Sequence, residues 1–200
     1  LKTLIKVLLI SILSFSFSFG DEKEDLKKHF LEKVDELITV IKDKESSKDQ
    51  RNEKIRVVID PMFDFELMAK LSLGKKWLTL NEEESKEFVK LYVERMKNSY
   101  SSKFDTYKDE KVKILEILSP KSNRLVLVTD LVTNGDKLSI VYKFYKPKTE
   151  KQNKDRWLIY DVEIQGVSML KTDKSQFSEF LQTKTIQELM DSMAKTAEDA

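Results

Sequence analysis

RLVLVTDLVTNGDKLSIVYKFYK, residues 124–146, decides the fold. Two runs of Val, Leu, Ile, Tyr and Phe flank Asn134-Gly135-Asp136. Asn-Gly between alternating apolar runs is the strongest short hairpin signal. In the second run Leu138, Ile140, Tyr142 and Phe144 hold the even positions, against Ser139, Lys143 and Tyr145 at odd ones. One face is apolar and the other mixed, as in a sheet wet on one side. Lys111–Leu118 lies before, set off by Pro120–Asn123, and Trp157–Ile164 lies after the charged loop Pro147–Arg156. In the last run Leu158, Tyr160, Val162 and Ile164 alternate with Trp157, Ile159, Asp161 and Glu163. Consecutive strands joined by short turns form an antiparallel meander.

Helical spacing surrounds these strands. Leu26, Phe30, Val34, Leu37 and Ile41 form one amphipathic stripe, which the polar stretch Lys42–Asn52 breaks. Ile55, Val58 and Ile59 suggest a short helix stopped by Pro61. Asp64 can cap a third, with Phe65, Met68, Ala69 and Ser72 on its face and Gly74 past its end. Asn81–Glu84 is a capping-box pattern opening a longer helix with Phe88, Leu91, Tyr92, Met96 and Tyr100. After Gly166 come Leu170, Phe177, Phe180 and Leu181, then Ile186, Leu189, Met190 and Met193. The expected fold class is therefore α+β: a twisted four-stranded antiparallel sheet with helices packed on one face.

Composition narrows the function. The chain has 200 residues, net charge +1, one His and no Cys. That balance gives no reason to expect nucleic acid as a partner. Thiolate metal sites, cysteine nucleophiles and three-histidine zinc sites are ruled out. The opening LKTLIKVLLISILSFSFSFG has Lys2 and Lys6 before an apolar stretch, then Ser18 and Gly20 at the −3 and −1 positions of a cleavage site. Residues 1–20 read as a secretory signal peptide and 21–200 as a single exported domain of net charge −1.

Candidate chemistry is sparse. Asp161 and Glu163 share a strand face, as paired glycosidase carboxylates can, but a solvated polar edge is the commoner meaning. His29 sits beside the stripe of Leu26 and Phe30, facing water. Ser168 follows Gly166, but Leu170 replaces the second glycine of a nucleophile elbow. There is no phosphate-binding glycine loop and no acidic calcium loop. No catalytic or metal residue is assigned. What remains is apolar, and composition does not separate an ordinary core from a ligand cavity. If a cavity exists, the periodicity assigns it Phe65, Met68, Leu91, Tyr92 and Met96 on helices. From the strands it takes Tyr142, Phe144, Tyr160, Val162 and Ile164, with Val167, Leu170 and Phe177 beyond them. The even strand face is expected to look onto the helices, and the odd face to be wetter.

The segment IDPMFDFELMA, Ile59–Ala69, followed by Leu73-Gly74-Lys75-Lys76-Trp77, resembles the MlaC / toluene-tolerance family of periplasmic phospholipid carriers. The likeness continues from Phe88 to Tyr100, and through Ile114–Leu118, Trp157–Leu170 and Ser175–Phe177, covering most of residues 50–185 in order. Asp173-Lys174 stands where the family often has Tyr-Arg, and Gln165 where it often has Glu. The resemblance implies an MlaC-like fold, related in part to NTF2-like folds, enclosing an apolar pocket. It implies a non-enzymatic carrier that shuttles phospholipid across the periplasm and maintains outer-membrane lipid asymmetry, with no cofactor besides its lipid. Its implied partners are an outer-membrane lipoprotein–porin complex and an inner-membrane ABC transporter with an MCE-domain protein. A chaperone for another apolar cargo shares the cavity expectation, and a secreted enzyme on an NTF2-like fold would need a base or carboxylate pair inside it. Intact mass of the exported protein is expected to place its N-terminus near Asp21; a retained apolar segment would contradict the cleavage site.

Overall fold

The computed structural model describes residues 2–104, 107, 109–133 and 136–198, with side chains from residue 20 onward except 100–104 and 196–198. The expected turn at Asn134-Gly135 and the side chain of Tyr100 therefore lie outside the described residues. β1 (Lys111–Lys121), β2 (Arg124–Thr133), β3 (Asp136–Tyr145) and β4 (Leu158–Ile164) pair antiparallel in chain order. A two-residue β5 (Val167–Ser168) adds a fifth strand beside β4. Gln165 and Gly166 join these last two with φ of 52° and 78°, the consecutive positive values that a two-residue I′ hairpin turn needs.

Two strand details depart from simple alternation. β1 runs through Pro120 to Lys121, with register shifts after Ile114 and Leu118. It is an edge strand, where a missing N–H costs no ladder bond. In β4, Lys143 pairs with Asp161 but Phe144 pairs with Ile159, which leaves Tyr160 as a bulge. Val162 and Ile159 thus share the face of Tyr142 and Phe144, while Tyr160 turns to the opposite face. There its ring lies 6.1 Å from that of Tyr145, with the Arg124 guanidinium over both rings.

The helices are α1 (Lys2–Lys42), α2 (Lys48–Ile59), α3 (Phe65–Leu73), α4 (Glu82–Phe104), α5 (Met169–Phe180) and α6 (Ile186–Glu198), with a 3-10 turn Gly74–Thr79 between α3 and α4. α2 starts inside the polar stretch that reads as a break, because Ser47 and Gln50 form a reciprocal capping box. The Asn81 box is also present: the Glu84 N–H donates to Asn81 Oδ1 at 2.9 Å, and the Asn81 N–H donates to Glu84 Oε2 at 2.9 Å. Gly74 has φ of 55°, and a Cβ there would lie 3.1 Å from the Cε of Lys174 on α5. Glycine serves the positive φ at this point, while the Lys174 tip is a flexible neighbour that could give way.

Packing produces two apolar clusters. In the first, Ile55 of α2, Phe65 and Met68 of α3, Phe88 and Tyr92 of α4, Phe177 of α5 and Met190 of α6 bury one another. In the second, Leu26 and Phe30 of α1 lie against Leu125, Leu127, Phe144, Ile159 and Val162 of the sheet. α3 and α5 meet the sheet chiefly at β4.

The join between helices and sheet is polar and buried. The Asp64 N–H donates to the Ile159 carbonyl at 2.9 Å, and the Ile159 N–H donates to Met62 O at 2.8 Å. The Asp64 carboxylate, 2% exposed, accepts from the Leu67 N–H at 3.1 Å, from Lys151 Nζ at 2.7 Å and from the Tyr145 hydroxyl. Burial pushes its pKa up, but the bonds from Lys151, Tyr145 and Leu67 outweigh it and hold the group below the usual carboxylate range. A depressed folded pKa gives stabilisation that is complete above the ordinary value, about 4, and is lost as pH falls through and below it. The wild-type urea midpoint is therefore expected to fall below pH 4 more steeply than that of Asp64→Asn. Asp64→Ala, which removes the cap and strands the Tyr145 hydroxyl, should cost about 2–4 kcal/mol at pH 7.

Candidate functional site

Cross-strand neighbours define one apolar face. Leu125 opposes Phe144, Leu127 opposes Tyr142, Thr129 opposes Ile140 and Leu131 opposes Leu138; Ile140 then opposes Ile164, and Val112 opposes Leu131. The two ends of this face differ. At the β2 start, Leu125, Leu127, Phe144 and Ile159 are sealed under Leu26, Phe30 and Met62. Phe30 packs on Tyr142 with ring centroids 5.0 Å apart, and burial pushes the Tyr142 phenol up to about 12. At the other end Val112, Leu131, Leu138 and Ile140 stay partly exposed, while Ile164 is 37% and Val167 60% exposed. The buried hydroxyl of Thr129 on this face donates to Ile140 O at 2.9 Å.

Beside the open end lies a groove of about 310 Å³. Met96, Ile164, Val167 and Met169 form its apolar side, and Arg95, Asp173 and Gln176 its polar side. Asp173 is buried and accepts from the Tyr92 hydroxyl at 2.8 Å and from Arg95 Nη2 at 2.6 Å. Burial first, and the Asp173 charge second, drive the Tyr92 phenol far above its ordinary pKa, so it stays a donor.

This arrangement can shelter apolar chains beside a polar rim. Asp161 belongs to the scaffold rather than to a solvated edge: it is buried and accepts from Ser168 Oγ at 2.9 and 2.8 Å, from the Leu170 N–H at 3.2 Å and from Lys143 Nζ at 3.0 Å. Ser168 in turn caps α5, accepting from the Lys171 N–H at 3.0 Å. Lys143 also pairs with Glu163. Burial lowers its pKa, yet the two carboxylates outweigh burial and keep it raised and charged. His29 lies 2.7 Å from Asp155 Oδ2 on a half-exposed side chain. Among the described residues no group of His, Asp and Glu could hold a metal ion.

The family model for the MlaC protein matches residues 31–195 of this sequence. The chain belongs to the MlaC family. No curated protein matches it. Among solved structures, a phospholipid-binding protein from Ralstonia solanacearum, determined in complex with a phospholipid, superposes with a TM-score of 0.72 at 17% identity, covering 86% of this chain and 96% of that one. At that identity the likeness is one of fold.

In this MlaC-family chain the residues expected around a cavity fall into separate places. Phe65, Met68, Leu91, Tyr92, Met96 and Phe177 belong to the helical cluster. Tyr142, Phe144 and Val162 belong to the sheet cluster, whose partner is α1 rather than the α3 and α4 residues expected to face it. Ile164 and Val167 are exposed at the hairpin tip, and Leu170 is partly exposed at the start of α5. Tyr160 lies on the other sheet face because of the bulge. The β3 alternation already held Leu138 and Ile140, which sit at the open end but were not among the expected residues. Nothing in the sequence signals Leu131, Met169 or Arg95.

The half-open face has a mutational signature. Val162 is 7% exposed, so Val162→Glu should cost about 3–5 kcal/mol, as an uncompensated buried charge does. Ile164→Lys, at the open end, should stay within about 0.5–1 kcal/mol of wild type. Urea unfolding followed by circular dichroism reads both; equal losses would mean that the face is sealed throughout.

Proposed function

We propose that this protein is a periplasmic phospholipid carrier that shields acyl chains between the open end of its apolar sheet face and the Met96–Met169 groove. The observation that carries the reading is the half-covered face in a chain of the MlaC family. An ordinary core would close over Leu131, Leu138, Ile140 and Ile164. The phospholipid bound by the Ralstonia solanacearum protein, which shares the fold, supports the same ligand class.

The energetics suit a carrier. Two acyl chains hold about 30 methylenes, each costing about 0.8 kcal/mol to expose, so leaving a bilayer unaided is opposed by roughly 20 kcal/mol or more. An apolar groove offsets most of this cost without any bond being made or broken. The lipid's polar head then belongs at the rim, beside Arg95 and Gln176. The groove's volume of about 310 Å³ is at the low end for ligand sites, about 300–1,000 Å³. Two full chains therefore require its walls to part.

In this reading residues 1–20 are a cleaved export signal, and residues 21–200 act in the periplasm. Among the described residues no helix is long and apolar enough to cross a membrane. Lipid is passed between an outer-membrane lipoprotein–porin complex and an inner-membrane ABC transporter with an MCE-domain protein, which maintains outer-membrane asymmetry. The carrier is not an enzyme, and direction is set by its partners.

Organic extraction of the purified protein followed by mass spectrometry is expected to yield diacyl phospholipid. Ile164→Lys should lower that yield at least about tenfold with its circular dichroism unchanged, because a cation at the groove must be desolvated or must admit water. An acylated protein in place of lipid would favour a chaperone, and an empty extract would sink the carrier reading.

A further inference from the structure

Arg95 stands between two adjoining grooves on the outside of α4. One is the groove of Met96, Ile164, Val167 and Met169; the other, of about 170 Å³, is lined by Phe177, Phe180, Leu189 and Met193. Arg95 and Gln176 line both. The guanidinium is held rigidly in place. Its Cζ lies 6.0 Å from the Tyr92 ring centroid and 5.5 Å from that of Phe177, and Nη2 donates to Asp173 at 2.6 Å. Nη1, on the same fork, is buried and has no hydrogen-bond partner among the described residues.

A buried, unpartnered N–H on a charged group is costly, and native proteins rarely keep one without a use. Asp173 accepts from the Tyr92 hydroxyl on one oxygen and from Arg95 Nη2 on the other, and makes no bond to Nη1. Beside this donor, the Gln176 amide is exposed and makes no hydrogen bond to a described residue. A guanidinium with Nη2 fixed by a carboxylate still has the two N–H groups of Nη1 to offer the oxygens of a phosphate. Apolar wall on one side and a cationic fork on the other is the pattern of a diacyl phosphate ester.

We propose that Arg95 is the residue that holds the phosphate of the bound lipid, with Gln176 beside it; this deepens the carrier reading and rests on it. Parting the groove walls to admit acyl chains uncovers Nη1, and the phosphate then supplies the acceptor it lacks. The protein thereby distinguishes diacyl lipids that carry a phosphate from neutral ones of the same chain length. Asp173 is a positioning residue: it aims the fork and keeps one edge free.

The test uses the mature protein exchanged against vesicles holding equal amounts of dioleoylphosphatidylglycerol and dioleoylglycerol, then separated from them by gel filtration and extracted for mass spectrometry. Wild type is expected to favour the phosphate lipid by about tenfold or more, the equivalent of one charge-assisted hydrogen bond. Arg95→Gln should bring the two within about twofold. Because that change strands Asp173, Arg95→Gln/Asp173→Asn is tested with it, and circular dichroism confirms the fold of each. A double variant that keeps the wild-type preference overturns the assignment, and so does a wild type that takes both lipids equally; either leaves the carrier reading standing. A wild type that takes neither lipid sinks the carrier reading and this inference together.

Discussion

Leu125, Leu127 and Phe144 can be sealed only by something lying across the sheet, and α1 is what lies there. Leu26 and Phe30 supply the cover, each contributing about 1.5–3 kcal/mol by burial. Glu22 bonds Lys146 at 2.6 Å and Arg156 at 2.9 Å, and His29 meets Asp155. Such partly exposed pairs are worth little energy and chiefly fix how the helix lies on the sheet. Further along, Leu37, Val40 and Ile41 leave the sheet and join the helical cluster. Leu131 and Leu138 then lie beyond its cover, and Ile140 is only partly buried against the sheet cluster. The open end is a consequence of where α1 goes.

Three buried carboxylates set the angle between helices and sheet. Asp64 joins the start of α3 to β3 and the following loop, Asp161 joins β4 to the start of α5, and Asp173 joins α5 to α4. Buried ionic groups are weak contributors to net stability, because desolvation cancels much of the attraction. Their bonds are directional, however, and each spans two elements that apolar contact alone would let slide. They hold Met96, Met169 and Ile164 around one groove. The same logic explains why paired acidic residues on β4 are not an active site. Asp161 is committed to Ser168, Leu170 and Lys143, and no substrate group is left for it to serve.

Local signals carried most of the fold. Alternation in residues 124–146, the Asn81–Glu84 box, Asp64 as a cap and the spacing after Gly166 each specify structure within a few residues of themselves. The features not legible were those fixed at a distance. The Tyr160 bulge depends on how β4 pairs with β3, and alternation within β4 itself gives no sign of it. The burial of Asp161 depends on Ser168, brought back by a hairpin whose turn contains Gln165 at positive φ. Periodicity also told which residues of the expected cavity were apolar, but not which of two clusters each would join. Phe65 and Met68 look equivalent to Tyr142 and Phe144 in the sequence, yet they pack into different cores. The family resemblance supplied the ligand class, which no residue pattern in this chain states.

The division into two cores is what makes a small groove compatible with a large ligand. Among the described residues, the clusters share Phe63 and Met169. In the carrier reading, widening the seam between them would first displace those two side chains, while the Asp64–Ile159 and Asp161–Leu170 bonds that also cross between the layers would have to hold or give. The loss is about 1.5–3 kcal/mol for each side chain exposed, against roughly 20 kcal/mol or more recovered when two acyl chains are covered. Met96 and Met169, at the groove itself, are unbranched and adapt to irregular apolar shapes with little strain. A single continuous core would have to break its own packing to admit the same chains, and close-packed interiors resist that. In the carrier reading, two cores with a narrow seam would let the protein stay closed in water and open to lipid.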